Sequence, residues 1–153
     1  GSVGDAAVCH QQMNDLFDDS VSVYASTIVG QGSFVELVEP EVYEDVIFFT
    51  GWAPNDATEL SADFTQRFYD WKGENPSDVP CRGYDALMII AAALDSMGEF
   101  DVNSDTFRED LNTAMHQVSY EGLQGSFQFN ETGDGLDSCL LVQYQDGVQT
   151  ILS

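Results

Sequence analysis

The spacing of apolar residues predicts helices alternating with strands in the first third of the chain. The segment 21–25 alternates apolar and polar residues and is β-branched at its start, as half-buried strands are. Val46 to Phe49 form a continuous apolar run closed by Gly51, which is typical of a strand buried on both faces of a parallel sheet. The predicted elements are a helix at 4–16, a strand at 21–25, a loop at 26–31, a short helix at 33–37 and a strand at 44–50.

The apolar period lengthens to three or four residues in the middle of the chain, which predicts two helices. The first begins at about Glu59, and Gly73 and Pro76 end it. The second spans 83–97 and is nearly all apolar from residue 87 to 94, so we expect it to be buried on most sides. The apolar face of the first helix consists of Leu60, Phe64, Phe68 and Trp71.

The last third begins with a third helix and continues as strands. Ser104 is a good N-cap for this helix, whose apolar face carries Phe107, Leu111 and Met115. Asp146-Gly147 lies between two apolar runs and predicts a tight hairpin. The predicted strands are 125–129, 140–144 and 148–152.

The charge of the chain is strongly negative, because 27 acidic side chains face only 4 basic ones and the formal net charge is −23. Nucleic acids and anionic membranes are therefore poor partners, since binding them requires Lys and Arg. The charge favours a surface adapted to high salt. Binding of Ca²⁺ or of a cationic partner is the competing interpretation; Asn130 to Gly135 imitate the start of an EF-hand loop, but Leu141 stands where that loop needs Glu.

Motifs for catalysis and for structural metals are missing from the sequence. The glycine-rich stretches do not match a nucleophile elbow, a P-loop or a dinucleotide fingerprint. We therefore predict no catalytic residues, no metal and no cofactor. The three cysteines, Cys9, Cys81 and Cys139, are compatible with one disulfide and a spare thiol, with a partner on a missing segment, or with three small buried hydrophobes.

Recognition residues stand at the ends of the predicted strands. Tyr24 with Ser26 and Thr27, and Phe49 with Trp52, lie where open α/β sheets bind ligands, outside the carboxyl ends of the strands. Packing in the core or loops is an equally good account of each group. In addition, Asn130-Glu131-Thr132 is a sequon in a predicted exposed turn, and it would carry a glycan in a secreted eukaryotic protein.

Two groups of residues resemble a known family. They are Phe64, Phe68-Tyr69, Gly73, Pro76 and Tyr84-Asp85-Ala86 before the apolar helix, and then Tyr120 to Gly125, Phe127, Phe129, Gly133-Asp134 and the Asp146-Gly147 hairpin. In their order and spacing they resemble the carboxyl-terminal half of the type I periplasmic substrate-binding proteins of branched-chain amino-acid ABC transporters. The resemblance covers almost the whole chain.

The resemblance implies an α/β fold that is part of a two-lobed protein, with sheets flanked by helices and antiparallel strands at the carboxyl end. Residues 4–56 would belong to lobe II, the helical segment 57–118 would pack mostly with lobe I, and residues 119–153 would return to lobe II. On this resemblance, we expect the first half of the family fold to be absent from this chain. A companion chain that carries it, or swapping between copies, would complete the fold.

The resemblance also implies a ligand site. Family members place an acid just after the strand that corresponds to 21–25, whereas this chain has Ser26 and Thr27 there. We therefore expect Ser26, Thr27 and Gln31 to hydrogen-bond a neutral polar ligand, with Trp52 as an apolar wall. Tyr84 would lie near the hinge, as a ligand contact or as a structural residue.

The function implied is capture of a small solute for an ABC permease, without enzymatic activity, in the periplasm or outside the cell. A membrane anchor on a missing amino-terminal region is one option. The alternatives are a ligand-binding ectodomain of a receptor or sensor of the same fold, and a small α/β hydrolase-like enzyme.

Overall fold

The computed structural model describes residues 1–17, 21–54, 58–135 and 139–152, which form two compact units. Unit 1 comprises Gly1–Pro80 and Cys139–Ser153, and unit 2 comprises Cys81–Ser138. These boundaries differ from the predicted ones at 56 and 118. The assignment of the predicted segments to lobes of a larger protein stays a prediction.

Unit 1 contains most of the helices and the larger sheet. Its helices are α1 (Val3–Leu16), α2 (Gly32–Val35), α3 (Pro40–Tyr43) and α4 (Glu59–Lys72), with a 3-10 turn at Thr27–Gly30. Its strands are β1 (Tyr24–Ala25), β2 (Ile47–Thr50), β5 (Leu140–Gln145) and β6 (Val148–Ile151). Helix α5 (Asp78–Met97) begins in unit 1 and continues in unit 2, which also holds α6 (Phe107–Gln117), β3 (Tyr120–Gly122) and β4 (Gly125–Phe127).

Two long helices of unit 1 confirm their predictions, and local capping explains where they begin and end. The Ser2 hydroxyl accepts a hydrogen bond from the backbone N–H of Asp5, whose carboxylate accepts from the Ser2 backbone, so a capping box starts α1. Thr58 caps α4 in the same way, by accepting from the Ser61 N–H. Gly73 ends α4 with φ 77°, a conformation that glycine adopts at little cost.

The sheet of unit 1 is mixed, with the strand order β1-β2-β5-β6. Strand β2 runs parallel to β1 and antiparallel to β5. The prediction that this strand is buried on both faces of a parallel sheet is wrong, because Phe48 is buried while Phe49 is 51% exposed. The apolar run at 46–49 thus leads into a strand with one buried face and one exposed face, and the exposed face carries Phe49.

The core of unit 1 packs between α1, the 3-10 turn and the sheet. Its fully buried members include Val29, Phe34, Phe48 and Val142, and Tyr144 is nearly as well buried. The Tyr144 hydroxyl donates to the Val29 carbonyl at 2.9 Å, and burial raises the pKa of Tyr144 to about 12. The tyrosine therefore stays neutral and keeps its polar end paired inside the core.

The Asp146-Gly147 hairpin is confirmed. Asp146 has φ 53° and Gly147 has φ 75°, the pair of positive angles that a two-residue hairpin turn requires. The Glu44 carboxylate accepts from both of their backbone N–H groups, at 2.5 and 3.0 Å. The turn after β5 is therefore bound to the segment that precedes β2.

Unit 2 packs α5 and α6 together with the β3–β4 hairpin around Ile89, Ala93, Val118 and Phe127. The expectation that the apolar helix is buried on most sides is wrong, because Leu87 is 66% exposed and Ile90 is 41% exposed. No residue of the described chain covers these two side chains fully.

Both helices that enter unit 2 begin at other residues than predicted. Helix α5 begins at Asp78 rather than near 83. Helix α6 begins at Phe107 with Thr106 at its N-cap, so Ser104 is not the cap. Ser104 instead accepts from the Thr106 N–H at 3.3 Å, in the turn before the helix.

The strands predicted at 21–25 and 125–129 and the short helix predicted at 33–37 are confirmed as shorter elements. The predicted loop at 26–31 instead contains the 3-10 turn at Thr27–Gly30, and α3 and β3 were not predicted. Cys81 is buried, while Cys9 and Cys139 are exposed. Among the helices that the structure describes, none has the length and hydropathy needed to cross a membrane.

Candidate functional site

The carboxyl ends of β1 and β2 carry polar residues, and the sequence singled out the two that follow β1. Ser26 and Thr27 follow β1 directly, and Thr50 is the last residue of β2. Because the two strands are parallel neighbours, their carboxyl ends meet at one edge of the sheet. The edge is therefore the candidate site of unit 1.

A hydrogen-bonded group joins these residues to the start of α5. The Thr27 Oγ1 lies 2.6 Å from the Asp78 Oδ2 and 3.4 Å from the Thr50 Oγ1. Asp78 is buried, at 4% exposure, and is the first residue of α5, where the helix dipole stabilises a negative charge. We call Thr27, Thr50 and Asp78 the strand-end cluster.

The geometry of the strand-end cluster fixes the role of the Thr27 hydroxyl. Ionised carboxylates only accept hydrogen bonds, so Thr27 donates its single proton to Asp78, the nearer of its two partners. The Thr50 hydroxyl donates to the Trp52 carbonyl at 3.0 Å. A molecule that reaches the half-buried Thr27 Oγ1 therefore meets a hydrogen-bond acceptor backed by a carboxylate.

Trp52 lies behind this edge rather than at the surface. Its side chain is 1% exposed, its indole Nε1 donates to the Ser61 Oγ at 2.7 Å, and its ring packs edge-on against Phe64. Trp52 thus ties the strand-end loop to α4. Its role as a ligand wall stays a prediction.

The other predicted site residues lie at separate positions. Tyr24 is exposed on β1, Ser26 is exposed at the start of the 3-10 turn, and Gln31 is half-buried at its end. Tyr84 is half-buried on α5 in unit 2. Hydrogen bonds join Thr27 and Trp52 through Thr50. Within the described part of unit 1, no such bond joins the Tyr24, Ser26 or Gln31 side chains to that group.

Asp78 is the acid of the strand-end cluster, and the sequence patterns did not single it out. It lies 51 residues after Thr27 in the chain, and the expected acid was sought next to the strand instead. A local signal existed, since Ser77-Asp78-Val79-Pro80 combines an acid and a proline in a first helical turn. That signal places the start of α5 but not the contact with Thr27.

The amino ends of the same two strands hold a different feature, a cavity of about 540 Å³. Its lining includes His10, Phe17, Val23, Glu44, Ile47 and Gln143. Burial lowers the pKa of His10, which packs edge-on against Phe34 and is favoured in its neutral form. The Glu44 carboxylate is engaged by the hairpin turn, and the Gln143 amide donates to Asp45.

Metal binding finds no support in the described part of the chain, where no group of three or more His, Cys, Asp or Glu side chains has the arrangement to hold an ion. In the segment that imitates an EF-hand, the Asn130 Oδ1 accepts hydrogen bonds from Thr132 and Asp134. That oxygen is committed to the local turn.

Comparison with known proteins places the chain among binding proteins. The model of a family described as "Periplasmic binding protein" matches residues 3–149. No curated protein sequence matches the chain significantly. The family match covers both units.

Solved structures share the fold. A leucine-binding protein from Thermotoga maritima matches with a TM-score of 0.83 at 21% identity, covering 100% of this chain and 42% of that one. A branched-chain amino-acid transporter substrate-binding protein from Streptococcus pneumoniae, in complex with isoleucine, matches with 0.80 at 14% identity, covering 100% and 41%. A solute-binding protein from R. palustris, in complex with benzoate, matches with 0.74 at 14% identity, covering 95% and 45%.

These likenesses show the type I periplasmic binding protein fold, an α/β architecture with a mixed sheet flanked by helices. The chain spans about two fifths of the length of the proteins it matches. The expected resemblance to part of a branched-chain amino-acid binding protein is confirmed.

Proposed function

Because the chain belongs to the periplasmic binding protein family, we propose that it is an extracytoplasmic solute-binding protein, or the carboxyl-terminal part of one. It captures a small polar ligand for an ABC uptake transporter and carries out no catalytic step. Its partners are the ligand and the membrane permease of the transporter. Its place is the periplasm or the outer face of the cytoplasmic membrane.

The observation that carries this proposal is the strand-end cluster. A half-buried hydroxyl, Thr27, lies at the carboxyl ends of two parallel strands, where open α/β sheets bind their ligands. It is held at 2.6 Å from a carboxylate that is itself buried, Asp78. Buried polar groups of this kind orient a ligand, whereas the apolar surroundings supply most of its contact area.

The direction of the hydrogen bond from Thr27 to Asp78 limits which ligand groups can bind to the Thr27 oxygen. Its proton is donated to Asp78, so its oxygen offers only lone pairs to a ligand. A ligand group that presents N–H or O–H satisfies that oxygen, and the nearby negative charge favours an ammonium. A carboxylate in the same place would face two acceptors. We therefore assign the donor end of the ligand to the strand-end cluster.

The ligands named for the similar structures differ in whether they carry a group that can donate a hydrogen bond to Thr27. Leucine and isoleucine, bound by the Thermotoga and Streptococcus proteins, have an ammonium group, whereas the benzoate of the R. palustris complex has none. An amino acid or another small amine or amide is the better match to this chain.

Isothermal titration with a matched pair of probes tests the proposal. Leucine and 4-methylpentanoate share a carbon skeleton and a carboxylate, but only leucine carries the amino group. We expect leucine to bind at least about 10-fold more tightly, the discrimination that a hydrogen bond to a charged group supplies. Thr27→Val should remove that preference and Thr27→Ser should keep it, whereas Thr113→Val, at an exposed threonine of α6, should change nothing.

The two parts of the proposal fail separately. Equal affinity for both probes would contradict the donor assignment and leave solute binding standing. A ligand at 100 times its Kd stabilises a protein by about 2.7 kcal/mol, so thermal unfolding also reports binding. If no amino acid, amine, amide or sugar at millimolar concentration shifts the Tm, the solute-binding role is wrong.

A further inference from the structure

The turn after β4 contains a sequon that the proposed function does not use. Asn130-Glu131-Thr132 is the one Asn-x-Ser/Thr triplet of the sequence without proline at its middle position. Asn75-Pro76-Ser77 has the same outer residues but is blocked by its proline. The chain therefore offers one acceptor sequence and one natural near-match.

The structure presents the sequon at the surface of unit 2. Asn130, Glu131 and Thr132 are all exposed. The turn reverses through Gly133, which has φ 88°, and the Asn130 backbone N–H donates to the Asp134 carbonyl at 2.8 Å. The asparagine side chain therefore lies on a short exposed turn that a modifying enzyme can reach.

The amide of Asn130 has its two ends in different environments. Its Oδ1 accepts hydrogen bonds from the Thr132 and Asp134 backbone N–H groups, both at 2.9 Å. The Thr132 hydroxyl lies 2.8 Å from both the Asn130 Oδ1 and the Asp134 Oδ2, and its single proton goes to only one of them. The Asn130 Nδ2 donates to no residue of the described chain. The oxygen is thus fixed towards the turn, and the nitrogen remains available to an external reactant.

These hydrogen bonds also bear on the two readings of the segment. An amide oxygen that accepts two backbone hydrogen bonds has both of its lone pairs engaged, which removes Asn130 from a calcium site. The same two N–H donors stabilise negative charge on the amide oxygen, and such charge develops when the nitrogen loses a proton. The turn therefore favours modification at nitrogen over coordination at oxygen.

We propose that Asn130 is an N-glycan acceptor. The Asn130 Nδ2 forms a bond to the anomeric carbon of a saccharide carried on a lipid phosphate or diphosphate. The bond from that carbon to the phosphate oxygen breaks, and the carrier leaves with the electron pair while one amide proton passes to a base of the transferase. The glycan then projects from the turn of unit 2. Transfer of this kind takes place outside the cytoplasm, so the proposal depends on the extracytoplasmic location given above.

Secretion of the full chain from a eukaryotic host that N-glycosylates its exports tests the site. Intact-mass spectrometry should show the mass of one N-glycan, which peptide-N-glycosidase removes while converting Asn130 to aspartate. Asn130→Gln and Thr132→Ala should each lose the added mass, and Thr132→Ser should keep it. Asn75→Gln is the matched control and should leave the glycan unchanged.

Two results would overturn the proposal: secretion of the wild-type chain without added mass, or a glycan that persists in both Asn130→Gln and Thr132→Ala. Leucine titration of the same preparations reports solute binding independently. A glycosylated protein that binds no solute would contradict the proposed function alone, and an unmodified protein that binds leucine would contradict the acceptor site alone.

Discussion

Two buried aspartates on α5, one in each unit, show how the same side chain serves different ends. Asp78 and Asp85 are each 4% exposed. In unit 1, Asp78 accepts from the Thr27 hydroxyl. In unit 2, Asp85 accepts from the backbone N–H groups of Leu123 and Gln124, both at 2.9 Å. One carboxylate thus orients a side chain, and the other fixes a backbone turn.

The difference lies in what each donor does when its acceptor is lost. The Leu123 N–H is buried and cannot rotate, so without Asp85 it has nowhere to donate. The Thr27 hydroxyl is half-buried and can turn to water or to a ligand. We infer that Asp85 stabilises the β3–β4 hairpin, whereas Asp78 sets the polarity of the candidate site.

Replacing each aspartate by alanine should separate their two roles most clearly. We expect Asp85→Ala to lower the free energy of unfolding by about 3 kcal/mol, because it strands two backbone N–H groups. Asp78→Ala should cost less and should instead weaken leucine binding. Chemical denaturation and titration measure the two effects, with exposed Asp95→Ala as the control. Equal losses of stability in both variants would show that Asp78 is as structural as Asp85.

Gly122 tests how tightly Asp85 is enclosed. A Cβ at this position would lie 2.7 Å from the Asp85 Oδ1 and 2.8 Å from the Tyr120 Cε1. Gly122→Ala should therefore cost about 1–3 kcal/mol, as overpacking does. Gly83→Ala, earlier on α5, meets no atom within 4 Å and should stabilise the helix by up to about 1 kcal/mol. A neutral Gly122→Ala would mean that the hairpin yields easily.

The pH dependence of unit 1 gives a smaller effect. Burial lowers the pKa of His10 below its ordinary value of 6.5, so as the pH falls the unfolded chain binds a proton before the folded chain does. Stability from this residue is therefore full above that value and is lost as the pH falls through it towards the lower folded pKa. Denaturation at pH 7.5 and 5.5 measures the loss.

His10→Gln should flatten that dependence, whereas His116→Gln, at an exposed position of unit 2, should not. The same slope in wild type and His10→Gln would assign the pH dependence to other groups.

The exposed side of α5 should give the smallest effect. Leu87→Gln is expected to change the free energy of unfolding by less than about 0.5 kcal/mol, because Leu87 already lies in water. Ile89→Ala, at a buried position two residues on, should cost about 2–4 kcal/mol. A large loss from Leu87→Gln would show that this face is covered in solution.

Local patterns predicted what local forces determine. The period of α4, its capped start and its glycine end were readable from the sequence, and so was the Asp146-Gly147 turn. The burial of residues on α5 could not be predicted in this way, because a run of apolar residues does not show which of them contact other elements. Ile89 is buried, whereas Leu87 is exposed. The edge of the sheet that carries Thr27 was predicted, whereas its contact with Asp78 depends on a tertiary approach that no spacing encodes.

The position of β5 has a consequence for biosynthesis. Phe48 on β2 pairs with Val142 on β5, and the whole of unit 2 lies between them in the chain. During synthesis, all of unit 2 therefore leaves the ribosome before β5 does. Until then, the edge of β2 that pairs with β5 lacks its partner strand. Contacts of such long sequence separation form slowly and leave strand edges exposed to other chains. The nascent chain would then be most prone to aggregate between the emergence of α5 and that of β5, and a chaperone that shields the edge of β2 would act in that interval.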